Sequence, residues 1–208
     1  STMNSLMQIL PLIELSITSS VICIWVLQKF ATNPFPFAVK LFLVLLIGNV
    51  LFWPLGLGME LPLVAYVRGV TGDLSIVLTL LLWSSLLPSS QPTPIAFKFA
   101  VAIVAFCFYP FALGFGMIDP YAWGYGSITF LIAVLVFAVV CALANWTKGA
   151  WIIAIAIIAW AAQWHESSNL WDYLLDPFLA IWALISFVGM IYRRRRDKAR
   201  SGYLFRPG

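Results

Sequence analysis

Long apolar runs separated by short connections rich in helix breakers dominate the chain. Seven runs stand out, over residues 6–27, 39–57, 61–87, 97–116, 127–146, 149–164 and 170–192. A bilayer core about 30 Å thick takes roughly 20 apolar residues of helix to cross. The pattern therefore predicts an all-α fold, a polytopic transmembrane bundle of about seven helices. Asn33-Pro34-Phe35-Pro36, Pro88-Ser89-Ser90-Gln91-Pro92-Thr93-Pro94 and Asp119-Pro120 punctuate the runs and stop helices where they stand. Thr147-Lys148-Gly149 is so short a link that the fifth and sixth runs should be antiparallel neighbours.

The third run is irregular. Residues 74–87 alone would reach only about 21 Å as a helix, so residues 61–68 must share the crossing. Between the two pieces lies Gly69-Val70-Thr71-Gly72, flanked by Arg68 and Asp73. This reads as a broken or re-entrant segment, which membranes tolerate only where protein or a wet cavity satisfies the backbone. Transporters build substrate and ion sites from such breaks. Asp73 is equally placed to cap the helix that follows it.

Composition strengthens the membrane reading. Of 208 residues, 62% are hydrophobic and 10% charged, with a mean hydropathy of +0.97. Soluble domains carry about 25% charge. The first run lacks a basic leader and a clear cleavage site, so it is expected to be a retained helix.

Seven crossings place Lys29, Lys40, Lys98, Lys148 and the tail cations Arg193 to Arg196, Lys198, Arg200 and Arg206 on one side, leaving Arg68 for the other. Basic residues are retained in the cytoplasm. The N-terminus is thus expected outside and the C-terminus inside, with a transmembrane domain over 1–192 and a basic cytoplasmic tail over 193–208. The expected location is a bacterial inner membrane, and the tail should attract anionic lipids. Because it emerges directly from the bilayer, nucleic-acid binding is not expected.

Cys23, Cys107 and Cys141 all lie in apolar runs without metal-ligand spacing, and His165 is the single histidine. A disulfide framework, a zinc site and bis-histidine haem ligation are therefore not expected, and no metal or cofactor is implied.

The acids concentrate on the predicted outer side. Glu14 lies about 12 Å into the first run, on a stripe with Pro11 and Thr18. A carboxylate there is costly unless it stays protonated or meets a cation, and Arg68, the outer cation, is the expected partner. Asp172 follows Asn169 in a pattern resembling a capping box. Asp176 comes one turn later, before Pro177, predicting two stacked carboxylates at a kink that could bind a cation or share a proton. His165-Glu166 stands just ahead, with His165 a candidate base or pH sensor. Among the polar residues inside the runs, Asn49 is expected to bond between helices. The tryptophans near run ends, Trp53, Trp123, Trp146, Trp151, Trp164 and Trp171, should form an interfacial belt.

Glu14, Arg68, Asp73, His165, Asp172 and Asp176 are thus the candidate residues of an ion- or substrate-binding site. The expectation is a transport or ion- or proton-translocating protein whose acidic site opens outward, taking a small ion or small molecule. Two alternatives stand beside it. One is an accessory or assembly subunit of a membrane complex, alone or as an oligomer. The other is an enzyme acting on a lipid or lipid-linked substrate at the outer leaflet, with His165 or Asp172 as base. An enzyme is the less favoured class, since no HExxH or nucleophile-elbow motif occurs.

Overall fold

A computed structural model describes residues 2–56 and 58–204; Leu57, the end of the second predicted run, and Arg206 of the tail lie outside these. Among the described residues the chain is all-helical. The helices are α1 (Thr2–Phe30), α2 (Phe37–Phe52), α3 (Leu63–Thr71), α4 (Ile76–Ser84), α5 (Ile95–Ala112), α6 (Ile128–Leu143), α7 (Thr147–Ala161), α8 (Leu170–Leu174) and α9 (Pro177–Leu204). A 3-10 helix, Pro120–Tyr125, precedes α6.

Among the described residues, three helices are long and apolar enough to cross a membrane: α1 over Gln8–Phe30, α5 over Ile95–Ala112 and α9 over Pro177–Gly202. Three others, α2, α6 and α7, are apolar but shorter. At 1.5 Å per residue they reach roughly 22–24 Å. α2 is apolar except for Lys40 and Asn49, yet buries none of its residues. Phe106, Leu143 and Trp151 also point outward. Large exposed apolar surfaces of this kind need an apolar surrounding.

The third predicted run is two short helices, α3 and α4, but the break falls over residues 72–75, later than expected, because Gly69, Val70 and Thr71 continue α3 up to its cap at Gly72. The seventh is also divided. Leu175 is extended, α8 ends before it, and Pro177 opens α9 as a new helix. Proline fits a first helical turn because no backbone donor is needed there. Pro177 therefore starts a helix instead of kinking one, which corrects the expectation from sequence.

α4 is the hub. Only nine residues long, it touches α1, α7 and α8, while α5 pairs with α9, α6 with α7, and α1 with α2. The main core joins Ile76 and Val77 of α4 to Phe97 and Val101 of α5, Ile153 and Ala156 of α7, and Leu179 and Ala183 of α9. A second, smaller core holds Leu15, Val64 and Leu74, and Leu78 packs against both.

α6 and α7 end in left-handed residues that are not glycine, Asn145 (φ 61°) and Gln163 (φ 53°). Each closes its helix with a six-to-one bond, Trp146 N to Cys141 O and Trp164 N to Ala159 O, both at 3.0 Å. These are Schellman caps, which satisfy carbonyls that the helix end leaves open. The cap on α7 matters most, because it turns the chain back toward α1.

Candidate functional site

The loop from Ala162 to Asn169, between α7 and α8, collects most of the polar groups. Its capped start throws Trp164 and His165 onto α1. There the Trp164 indole N–H donates to Glu14 Oε2 at 3.2 Å, and His165 Nε2 lies 3.1 Å from both carboxylate oxygens. Glu14 sits in the first candidate span, with 11% of its side chain exposed against 3% for His165. The imidazole stacks on the Tyr173 ring, centroids 5.2 Å apart and planes 16° off parallel. The buried Tyr173 hydroxyl accepts from His165 N–H (3.0 Å) and turns its own proton toward the carbonyls of Ser167 (2.8 Å) and His165 (3.1 Å). The histidine is thus held on one face and along its backbone while Nε2 meets the carboxylate.

Arg68 is not the partner of Glu14. Gly72, at φ +68°, ends α3 in a conformation that L residues rarely adopt. The turn brings Asp73 back onto the guanidinium, with Nε to Oδ1 at 2.9 Å and an Nη to Oδ2 at 3.1 Å. The same Nη lies 3.5 Å from Glu166 Oε1. Arg68 is committed to the two acids nearest it, and the histidine takes the place next to Glu14. Asp73 spends both oxygens on the arginine, while Ser75 caps α4 by accepting from Leu78 N–H at 3.1 Å.

Asp172 and Asp176 do not form a stacked pair, because α8 ends at Leu174 and Leu175 between them is extended. Asp172 Oδ2 accepts from the Tyr121 hydroxyl (2.8 Å) and from the Ser167 hydroxyl. Asp176 is buried and accepts two backbone amides, Leu179 N–H at 2.8 Å and Ser75 N–H at 2.9 Å. It caps α9 and ties α9 to the start of α4. The capping box expected at Asn169 is not formed either. The Asn169 side chain accepts from Trp171 N–H, but its backbone N–H donates to Ser167 Oγ, not to Asp172.

The 3-10 helix is stitched to α8 by the Asn169 amide donating to Tyr121 O and by the Trp171 indole donating to Pro120 O, at 2.8 and 2.9 Å. Gly124 is required for this contact, since a Cβ there would stand 1.7 Å from Asn169 Oδ1. Tyr121 lies outside the candidate spans; burial first, then its bond to Asp172, pushes its pKa above the ordinary tyrosine value.

The sequence-derived candidates therefore separate by role. Glu14, His165, Arg68, Asp73 and the neighbouring Glu166 form one connected chain of contacts, from α1 through the α7–α8 loop to the α3–α4 break. Asp172 and Asp176 serve as structural acceptors. Ser167 Oγ faces Asp172, not His165, so among the described residues these two form no serine–histidine arrangement. Among the described residues, no three His, Cys, Asp or Glu side chains gather as metal donors.

Several contributors escaped the sequence reading. Trp164, assigned to an interfacial belt, binds Glu14, and Trp146 is buried in the core. Trp83 of α4 donates to Thr18 Oγ1 of α1 at 2.9 Å. Asn49 bonds only within its own helix region, to Leu45 O and the Trp53 indole, instead of bridging helices. Comparison with protein-family models, curated proteins and solved structures finds no match to this chain.

Proposed function

We propose that this is an integral membrane protein of seven crossings, N-terminus out and C-terminus in, that couples protonation of the Glu14–His165 pair to movement of a small ion or molecule. In this arrangement α3 with α4 forms the third pass, and α8 with α9 the seventh. The lopsided distribution of lysine and arginine supports the orientation, placing the basic tail in the cytoplasm of a bacterial cell.

The observation that carries the reading is a carboxylate inside an apolar span whose hydrogen-bonding partner is an imidazole. An unpaired charge there costs several kcal/mol. The pair is neutral overall with one proton, whether that proton sits on Glu14 or on His165. Gaining a second proton or losing the first leaves a net charge in a poorly solvated place, and so favours separation of α1 from the loop. Glu166, the next residue, holds Arg68, and Arg68 holds Asp73 at the α3–α4 break. Displacement of the loop therefore changes the charge facing Arg68, beside the break that precedes α4.

The test uses proteoliposomes loaded with the pH dye pyranine, driven by a potassium diffusion potential, with Na+ or K+ supplied outside. Proton flux above that of protein-free vesicles is expected, with loss of most of it in Glu14→Gln. Equal flux in Glu14→Gln and wild type refutes the assignment of Glu14. Wild-type vesicles no leakier than empty ones under every ion condition refute proton or cation translocation and favour an accessory or lipid-directed role.

A further inference from the structure

Among the described residues, α1 and α9 are two of the three helices long enough to cross a membrane, and side chains of both line one groove together with α4. Because α4 is short, the gap between them is only partly filled. A groove of about 500 Å³ remains. Its walls are Val21 and Trp25 of α1 and Phe178 and Trp182 of α9, and its floor is Leu78 and Leu81 of α4. Trp25 and Phe178 are exposed, so the groove opens sideways between two candidate spans. A volume of this size lies within the range of ligand sites, roughly 300–1,000 Å³.

What faces a sideways opening between membrane helices is hydrocarbon. An acyl chain gains little by moving from lipid into an apolar groove, because lipid tails are as apolar as leucine. Selection of one lipid over another therefore needs a polar contact, and the structure supplies one. The Lys98 ammonium lies 5.3 Å from the centroid of Trp182, the ring that lines the groove. Among the described residues Lys98 forms no salt bridge. Thr93, beside the first turn of α5 that carries Lys98, completes the rim. A cation over a tryptophan face retains much of its charge for a second partner, and basic pockets between membrane helices bind anionic headgroups.

We propose that the groove between α1, α4 and α9 seats an acyl chain of an anionic phospholipid, with the lipid phosphate against Lys98. The site is separate from the Glu14–His165 network and does not depend on the transport reading. It is also distinct from the attraction of the tail Arg193 to Arg196 for acidic membranes.

The test is native mass spectrometry of the full chain in detergent, titrated in parallel with phosphatidylglycerol and phosphatidylcholine. Phosphatidylglycerol should bind about five-fold more tightly, the scale of one basic residue near a headgroup. Lys98→Gln should bring the two lipids level and leave phosphatidylcholine unchanged. Ile22→Trp, at an exposed position on the groove wall, should weaken both. A variant with Arg193 to Arg196 all changed to Gln should keep the preference at the groove. Equal binding of both lipids to wild type overturns the proposal. So does a preference that survives Lys98→Gln and Ile22→Trp but disappears with the tail arginines.

Discussion

Asp176→Ala offers a direct measure of how the two halves of the polar end hold together. The wild-type carboxylate is buried and accepts two backbone amides at 2.8 and 2.9 Å, one from α9 and one from Ser75 ahead of α4. Both Ser75 and Leu179 are fully buried, so neither amide finds water once the acceptor is gone. Loss of an N-cap costs about 0.5–2 kcal/mol. A hydrogen bond to a charged group contributes about 1.5–3 kcal/mol. Together these predict a loss of about 3 kcal/mol, a factor of roughly 150 in the unfolding equilibrium. Asp176→Ser should recover about 1 kcal/mol, since a serine can cap α9 but cannot also reach Ser75. Asp176→Asn should fall between wild type and Ala, because one of its amide donors must face a backbone donor. The assay is equilibrium unfolding in mixed detergent–SDS micelles, followed by tryptophan fluorescence. An Ala variant within about 0.5 kcal/mol of wild type would refute the double-acceptor role. Loss of flux at unchanged stability in Asp176→Asn would instead restore Asp176 to the ion path.

Arg68→Ala should cost about 1–3 kcal/mol, less than a fully buried ion pair, because the arginine and Asp73 side chains keep 24% and 21% of their surface. A double-mutant cycle with Asp73→Ala in the same micelles should give a coupling of about 1 kcal/mol or more, and additive losses would show that the fork contributes nothing. Tyr121, whose pKa is raised by burial and by Asp172, contributes stability in full below the ordinary value of 10.0, and loses it as pH rises through the folded-state value. Tyr121→Phe should therefore flatten the alkaline decline in stability, and an identical decline in both proteins would contradict the Tyr121–Asp172 bond.

The helical class and the break in the third run were legible because they rest on short-range chemistry. Apolar runs are interrupted by proline and glycine, and the Gly72 turn lies where the Arg68–Asp73 flanks suggested one. His165 stands beside Glu14 and Asp176 is tied to backbone amides, whereas a group of Glu14, Arg68, Asp73 and Asp176 was anticipated, from the cost of leaving such charges alone in apolar surroundings. Who pairs with whom was not. Charge alone favoured Arg68 for Glu14, whereas backbone geometry decided otherwise: a left-handed Gly72 folds Asp73 onto Arg68, and a left-handed Gln163 delivers Trp164 and His165 to Glu14. A positive φ at glutamine has no sequence signature. Similarly, Asp172 and Asp176 read as one helical face because nothing short-range marked Leu175 as extended. Just after that break Asp176 accepts from Ser75, about a hundred residues earlier in the chain.

Because His165 is the single histidine of the chain, its imidazole can be observed alone. Nitrogen-15 histidine NMR of the protein in lipid nanodiscs, without a histidine tag, reads the Glu14–His165 contact directly. The Nε2 resonance is expected to move when Glu14 is changed to Gln and to hold its position in Asp172→Asn, whose carboxylate serves Tyr121 and Ser167. A resonance indifferent to Glu14→Gln would contradict the proton-sharing pair on which the proposed function stands.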